Sequence, residues 1–317
     1  MYFQAVRDQV QFWHRRAPMA ADLVVPAGPG PYPAVAVVGA CSGPRDRTPW
    51  IGELAHGGLM AMSWDSPGWG ESSGRRAWQA PDQRAPEVLA AVDFLARDPA
   101  VPAGGVGVVA ADLGAWAGVM AASLSRRIEA LVLISPPMGA LSDHELDRVG
   151  RSLRAEGFIT AEVELAQAVL RSRLRQVRSG VPSRVVLSGE AACRSAPWYP
   201  WLPASTPEEL DAFAGLDAYD ARTLLHTLSC PVLVVYVDRG TPAVWRDAQI
   251  ADRYLQARAV RDHRVVVVPD ASSYPSMIWE IDVDGPRMRP GSPTNPVGVI
   301  GEWLAGRISR RPLARAM

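Results

Sequence analysis

The chain of 317 residues is 48% hydrophobic and 21% charged, and its formal net charge at pH 7 is zero. These proportions are typical of a globular protein and exclude a largely disordered one. The arginines are scattered among acidic residues and form no concentrated basic face, which argues against a nucleic-acid partner. The length allows one large α/β domain with an insertion, or two ordinary domains.

Cysteine usage and hydropathy limit the remaining classes. Cys41, Cys193 and Cys230 are too few and too scattered for a disulfide framework or a zinc site. Charged residues interrupt the first sixteen positions, so no signal-peptide core fits there, and no apolar run reaches the roughly 18 residues of a membrane helix. We therefore expect a cytoplasmic protein with no membrane partner and no metal. We also expect no cofactor, because no glycine-rich nucleotide loop stands in a suitable context.

Short β-branched runs alternate along the chain with helix-compatible stretches, such as 85–97 and 116–124. We predict strands at 10–14, 22–25, 34–38, 59–64, 106–110, 131–135, 232–237 and 265–268. Several of these runs are continuously apolar, which is typical of central parallel strands that are buried on both faces. The alternation predicts an α/β fold with a mostly parallel central sheet flanked by helices.

One interval breaks this alternation. About a hundred residues separate the sixth and seventh predicted strands, which is too long for a loop. The interval contains amphipathic helical stretches at 142–154 and 161–175. We predict that residues 139–215 form a helical cap, or lid, inserted after the sixth core strand, and that residues 1–138 and 216–317 form the core.

The segment that runs from Gly107 to Ala115 reads GVVAADLGA and carries a specific turn pattern. A hydrophobic strand leads into small-x-Asp-x-Gly, centred on Asp112, and a helix rich in small residues follows. The pattern resembles the nucleophile elbow of α/β-hydrolases, usually G-x-S-x-G, in which a tight strand-to-helix turn presents one side chain to the site. Ala110 and Gly114 supply the small residues that this turn needs, because backbone and helix approach each other closely.

Four further segments resemble motifs of the same family, in the family's order. Residues 34–47, AVAVVGACSGPRDR, resemble the strand and oxyanion loop, and residues 64–72, WDSPGWGES, resemble the D-x-x-G-x-G-x-S turn. Residues 230–242 and 265–275 resemble the segments that normally deliver the acid and the histidine of the catalytic triad. The resemblance covers nearly the whole chain outside the predicted cap and implies an α/β-hydrolase fold.

The last two loops depart from the family pattern. The acid loop reads VDRGTP where relatives have G-x-x-D-x-x-P, so Gly240 occupies the acid position and Asp238 lies two residues earlier. The final loop reads PDASSYP where relatives have P-G-A-G-H-F-P, so Ser273 replaces the general-base histidine. The resemblance therefore implies a degenerate triad of Asp112, Gly240 and Ser273.

Asp112 is the predicted catalytic residue, acting as a general acid or base. We expect burial to raise the pKa of its carboxyl group toward neutrality, which would make proton transfer effective. The resemblance places the backbone N–H groups of Leu113 and of Ser42 (or Cys41) in the oxyanion hole. Such donors stabilise an enolate or phenolate as readily as a tetrahedral intermediate.

Aromatic residues carry the expectation for the substrate. The chain has 11 tryptophans but 5 phenylalanines, and tryptophans that line a pocket favour a flat, hydrophobic, aromatic small molecule. The same side chains could instead fill the core. His144, at the start of the predicted cap, is either a pocket residue or a surface residue near a helix start. The predicted substrate-binding residues are Cys41, Trp116, His144, Trp198, Tyr199, Trp201, Ser273 and Tyr274.

Three functions stay open for this chain. The residues favour a non-hydrolytic acid/base catalyst that performs cyclisation, Michael-type C–C bond formation or elimination, as hydrolase-fold proteins of some natural-product pathways do. An aspartate nucleophile of the dehalogenase or epoxide hydrolase type would lack the base for its second step, because position 273 is not a histidine. A shift in the alignment of the last two loops would allow Asp238 to reach the site. A non-catalytic, ligand-binding protein is the third reading. The expected partner is a small-molecule substrate, and a homodimer is left open.

Overall fold

The computed structural model of the chain describes residues 5–39, 43–45, 51–76, 79–220, 222–238, 242–257, 260, 262–269, 277–282, 285–290 and 296–308. The strands in these ranges are β1 (Ala5–His14), β2 (Ala17–Pro26), β3 (Ala34–Val38), β4 (Met60–Trp64), β5 (Val106–Ala111), β6 (Leu131–Ile134), β7 (Val232–Asp238), β8 (His263–Pro269), β9 (Met277–Asp282) and β10 (Gly285–Pro290).

The α-helices in the same ranges are α1 (Ile51–His56), α2 (Pro81–Leu95), α3 (Gly114–Leu124), α4 (Leu141–Ala155), α5 (Thr160–Arg178), α6 (Ser183–Gly189), α7 (Pro207–Asp217), α8 (Arg222–Leu225), α9 (Pro242–Gln256) and α10 (Pro296–Ile308). Short 3-10 turns lie at Ala191–Cys193 and Tyr199–Trp201. No helix in the described ranges combines the length and the hydropathy needed to cross a membrane.

The strands of the described ranges form one sheet in the order β1-β2-β4-β3-β5-β6-β7-β8-β9-β10. Neighbouring strands from β4 through β8 pair in parallel. The pairs at the two edges of the sheet are antiparallel. The predicted fold class, a mostly parallel sheet with flanking helices, is confirmed. The pair β9 and β10, in contrast, was not predicted.

The central strands are rich in valine and alanine because both of their faces are covered. Every residue of β3, AVAVV, is buried. On one face, Val35 and Val37 join a core cluster that includes residues of α1 and α10. On the other face, Gly118 of α3 lies directly against Val108 and Ala110 of β5. Strand alternation thus sends successive side chains into two separate layers of the core.

The chain forms two compact units, of which Met1–Met138 with Ala221–Met317 is one and Gly139–Asp220 is the other. The second, helical unit contains α4 to α7. It has its own apolar core, which includes Val149, Leu153, Val163, Leu170 and Leu210. The sequence predicted an insertion at residues 139–215. That this insertion caps the sheet stays a prediction.

A buried ion pair organises the helical unit around Arg173 of α5. The Arg173 side chain is 1% exposed, and its Nε and Nη2 donate to the two carboxylate oxygens of Glu190 at 3.0 and 2.6 Å. Its Nη1 donates to the carbonyl oxygens of Pro203 and Ala204. The Tyr199 hydroxyl donates to Glu190 at 2.9 Å. One guanidinium therefore joins α5 to Glu190 and to the segment at Pro203 and Ala204.

We expect Arg173→Met to destabilise the protein by about 3–5 kcal/mol, because it leaves the Glu190 carboxylate buried without its cation. Chemical denaturation followed by far-UV circular dichroism measures the change. Arg171→Met, at an exposed position of the same helix, is the matched control and should change stability by less than about 0.5 kcal/mol. Equal stability of the two variants would contradict the structural role of the ion pair.

His263, the first residue of β8, is linked to α9. Its Nε2 lies 3.6 Å from Oδ1 of Asp252, whose side chain is 8% exposed. Its Nδ1 lies 2.7 Å from the carbonyl oxygen of Val260. The hydrogen bond to Asp252 raises the pKa of His263, and burial opposes this effect only in part. Folding therefore favours the protonated imidazole.

We expect His263 to make stability depend on pH. Because its pKa is raised in the folded state, its contribution is fully present below the unfolded value of about 6.5 and is lost as the pH rises through the folded value. The difference in Tm between the wild type and His263→Gln should therefore be larger at about pH 5.5 than at about pH 9. His56→Gln, at an exposed position, is the control. A difference that is the same at both pH values would refute the linkage.

Candidate active site

Asp112 lies between β5 and α3, at the apex of the turn that joins them. Its φ is +52°, in the left-handed region that L-residues other than asparagine and aspartate seldom occupy. The Asp112 N–H donates to the carbonyl oxygen of Ile134 at 2.8 Å, which extends the pairing of β5 with β6 by one residue. This hydrogen bond thus ties the turn to the carboxyl end of β6, the strand next to β5.

The small residues beside the apex are required by close approach. A Cβ on Gly114 would lie 2.1 Å from the carbonyl oxygen of Gly39, which is main chain and cannot move aside as a side chain can. One turn further along α3, a Cβ on Gly118 would lie 2.8 Å from that of Ala110. The expectation of small residues at 110 and 114 is confirmed, and Gly118 adds a position that the sequence pattern did not identify.

The order of the strands explains why a site is expected here. From β3 the chain passes to β4 on one side and then crosses to β5 on the other side. In open α/β sheets, ligands bind outside the carboxyl ends of the strands at such a reversal. Gly39, directly after β3, and Asp112, directly after β5, lie on the two sides of this crevice.

One of the two predicted oxyanion donors lies in the described part of the chain. Leu113 is the N-cap residue of α3, and its N–H donates to no acceptor within the described ranges. The helix dipole adds positive potential at this end of α3. An anion that develops beside Asp112 would meet this N–H group. The second predicted donor, Ser42 or Cys41, lies outside the described residues.

The exposure of Asp112 requires a correction. We expected a buried carboxyl group, whereas Asp112 is exposed in the free chain. The reason is the turn itself, since its apex lifts the side chain off the edge of the sheet. Water therefore reaches this carboxylate in the free chain.

Arg45 connects the loop after β3 to its neighbours. Its backbone N–H donates to Asp65 Oδ1 at 2.7 Å, and its guanidinium forms ion pairs with Asp65, Asp22 and Glu71. The Asp65 side chain is 1% exposed and also accepts from the Glu71 N–H at 2.8 Å. A Cβ on Gly70 would lie 2.2 Å from the Asp65 carboxylate. The D-x-x-G-x-G-x-S segment thus anchors the predicted oxyanion loop.

Sequence reasoning missed a buried pair on α2. The Arg84 guanidinium donates to the Gly39 carbonyl oxygen at 3.2 Å and to Glu87 Oε1 at 3.3 Å. Glu87 is fully buried, and burial raises the pKa of its carboxyl group while Arg84 acts in the opposite direction. Through Gly39, this pair supports the side of the crevice that faces Asp112.

The histidines of the first unit lie far from Asp112. His14 ends β1, four strand positions from β5, or about 19 Å at the usual strand spacing. His56 ends α1, His226 precedes β7, and His263 begins β8. These three lie at the edge where the parallel strands begin, opposite the edge that carries Asp112. The fifth histidine, His144, belongs to the helical unit, where its Nε2 accepts from the Gly139 N–H at 3.4 Å.

The tryptophans chosen as pocket residues are used mainly for packing. Trp116 is 7% exposed, and Trp198 is 3% exposed within the core of the helical unit. Tyr199 and Trp201 are partly buried against that same core. The contacts of Trp198 agree with the alternative that these side chains fill a core, while a pocket role for Trp116 stays a prediction.

Several predicted site residues lie outside the described ranges, namely Cys41, Ser42, Gly240, Ser273 and Tyr274. Asp238, the alternative acid, is the last residue of β7, two strand positions from β5 at the same edge of the sheet. It accepts a hydrogen bond from the Trp245 indole at 3.2 Å. Among the described residues, no group of three or more metal-ligating side chains could hold an ion.

We expect Gly114→Ala to destabilise the protein by about 1–3 kcal/mol, because the added methyl group overlaps the Gly39 carbonyl oxygen. Gly301→Ala is the control, since a Cβ there meets no atom within 4 Å. It should stabilise α10 by about 0.5–1 kcal/mol. Urea denaturation measures both changes, and a Gly114→Ala variant as stable as the wild type would show that the contact is absent.

Comparison with solved structures shows the same fold in several enzymes. A Pyrococcus furiosus esterase is 14% identical to the chain with a TM-score of 0.60, and the match covers 96% of this chain and 92% of the esterase. A proline iminopeptidase from Mycobacterium smegmatis is 15% identical, with a TM-score of 0.54 and coverage of 95% and 99%. An α/β hydrolase from Penicillium sp. sh18 is 16% identical, with a TM-score of 0.55 and coverage of 83% and 90%.

No protein-family model and no curated protein matches the sequence. The identities to the solved structures are low, so the likeness concerns the backbone and not the activity. The strand order, the turn at Asp112 and the structural matches nevertheless agree with the five sequence motifs. The chain has the α/β-hydrolase fold.

Proposed function

We propose that the chain is a cofactor-independent enzyme in which Asp112 acts as a general acid or base on a small molecule, without hydrolysis. The observation that carries the proposal is an ionisable side chain at the apex of the elbow, at φ +52°. This side chain stands at the carboxyl end of β5, beside the Leu113 N–H. A carboxylate next to a preformed donor can move a proton while the donor stabilises the charge that develops.

The positions of the histidines favour non-hydrolytic chemistry over an aspartate nucleophile. An ester formed on Asp112 must be cleaved by water, and in enzymes of that type an imidazole activates the water. Of the four histidines in the first unit, one ends β1, four strand positions from β5. The other three lie where the parallel strands begin, at the end of the sheet opposite Asp112. None of these four can activate water at an ester on Asp112, whereas a proton transfer leaves nothing on the enzyme to remove.

The proposed reaction begins when Asp112 removes a proton from carbon next to a carbonyl group. The carbonyl oxygen becomes an enolate oxygen and accepts a hydrogen bond from the Leu113 N–H. The resulting nucleophilic carbon can close a ring, add to an acceptor or expel a leaving group. Asp112 then returns the proton, so no atom of the enzyme is consumed.

For the substrate we propose a small molecule with an acidic C–H beside a carbonyl group. Because Asp112 is exposed in the free chain, an apolar substrate body would exclude water from the carboxylate on binding. Trp116 and Trp198 are both largely buried in the free chain, so the proposal does not require an aromatic ring in the substrate. An apolar body is sufficient for this step.

We expect the protein to accelerate the ring opening of 5-nitrobenzisoxazole, a probe whose single step is removal of a C–H proton by a base. Asp112→Asn keeps the size and the backbone preference of the residue but removes the base, and should lower the rate by about 10²–10⁴-fold. Arg126→Ala, an exposed substitution, should leave the rate unchanged. Equal rates for the wild type and Asp112→Asn would overturn the proposed base.

The same proteins are then tested on activated esters, alkyl halides and epoxides, with intact-protein mass spectrometry. The proposal predicts no turnover that depends on Asp112. Turnover that is lost in Asp112→Asn would instead establish a hydrolase with an aspartate nucleophile. A stable mass adduct on Asp112 without turnover would show that the carboxylate is reactive and that the second half of a hydrolytic cycle is missing, as proposed.

A further inference from the structure

The turn between β1 and β2 places an arginine in an unfavourable conformation. The two strands pair as far as His14 and Ala17, so the loop consists of Arg15 and Arg16. Arg15 has a φ of +56°. Two-residue hairpin loops usually place glycine, asparagine or aspartate in this region, because a larger side chain is strained there. The turn thus carries a guanidinium where glycine would be more stable.

Arg15 lies at the rim of a cavity of about 460 Å³. The residues that line the cavity come from the β1–β2 turn, the loop after β4 and the start of α2. They are His14, Arg15, Pro67, Arg75, Gln79 and Gln83. Because β2 runs antiparallel to β4, with Ala21 opposite Trp64, the turn lies at the carboxyl end of β4. The cavity is therefore at the same edge of the sheet as Asp112, but beyond β3.

Two arginines of the cavity lack a carboxylate partner among the described residues. Neither Arg15 nor Arg75 forms an ion pair with a carboxylate in the described part of the chain. The nearby carboxylates of Asp65 and Glu71 are both paired with Arg45. Two like-charged guanidinium groups that line one cavity repel each other, and an anion between them would relieve this repulsion.

The polar groups of the cavity also suit an anion. Burial lowers the pKa of His14, Arg15 acts in the same direction, and a hydrogen bond to the Pro86 backbone opposes both, so the proposal assigns no anion contact to this imidazole. The Gln83 Oε1 accepts from the Ala80 N–H at 3.2 Å, which leaves the NH₂ group of this side chain to donate. The positive end of the α2 dipole lies at the same place, since α2 begins at Pro81.

We propose that this cavity binds an oxyanion, a phosphate or carboxylate group carried by a small molecule. The guanidinium groups of Arg15 and Arg75 hold the anion, and the side-chain amides of Gln79 and Gln83 add hydrogen bonds. The volume exceeds that of a bare ion, so the rest of the molecule occupies the remaining space. The site is independent of the chemistry at Asp112 and stands whether or not that residue is catalytic.

The experiment is isothermal titration calorimetry with inorganic phosphate and, separately, with succinate, at an ionic strength held constant with chloride. The wild type should bind at least one of the two anions with one site per chain. Arg75→Ala should weaken binding by about 10-fold or more, the loss expected for a charge-assisted hydrogen bond. Arg126→Ala removes an exposed arginine outside the cavity and should bind as the wild type does.

Arg15→Gly separates binding from folding. Glycine adopts a positive φ without strain, so the Tm of this variant, measured without anion, should equal or exceed that of the wild type, while anion affinity falls by about 10-fold or more. Binding of phosphate alone assigns a phosphate ligand, binding of succinate alone assigns a carboxylate, and binding of both supports the broader oxyanion class. No binding of either anion, or unchanged affinity in both Arg15→Gly and Arg75→Ala, would overturn the proposal.

Discussion

The candidate site depends on the close approach of two backbone segments, the carbonyl group of Gly39 and the first turn of α3. The contact leaves no room for a side chain at Gly114. It holds the end of β3 against the turn that follows β5, at the point where the strand order reverses. Arg84 donates to the same carbonyl oxygen and so fixes it from a third element. The position of Asp112 follows from these constraints, and so does the direction of the Leu113 N–H.

This geometry places the N–H of a helix-start residue beside a carboxylate at the apex of the turn. An N–H at a helix start serves any reaction in which negative charge grows on oxygen, whatever the nucleophile. A carboxylate at the apex can attack carbon or transfer a proton. The choice between these two reactions depends on a second base, and the parallel core strands carry no imidazole at their carboxyl ends within the described residues. In the proposed function, the helix start stabilises the developing charge and the apex carboxylate transfers the proton.

The sequence predicted the features that local patterns control. The bounds of β3 agree at both ends with the apolar run at 34–38, and Asp112 lies where the small-x-Asp-x-Gly spacing indicated. The strands β9 and β10 were missed, because Pro286, Pro290 and several charged residues weigh against a strand at those positions. Burial of Glu87 was also missed. A charged pair three residues apart on a helix usually faces water, and only tertiary packing reveals that this pair does not.

The long interval between β6 and β7 has a consequence for folding. Leu131 pairs with Val232 in adjacent parallel strands, so the central sheet is completed across a loop of about a hundred residues. A free loop of that length makes closure slow, because contacts distant in sequence form late. The helical unit has its own core and its own buried ion pair. Once this unit folds, the flexible chain between the two strands is reduced to the short segments that flank it. The insertion thus reduces the entropic cost that its own length adds to assembly of the sheet.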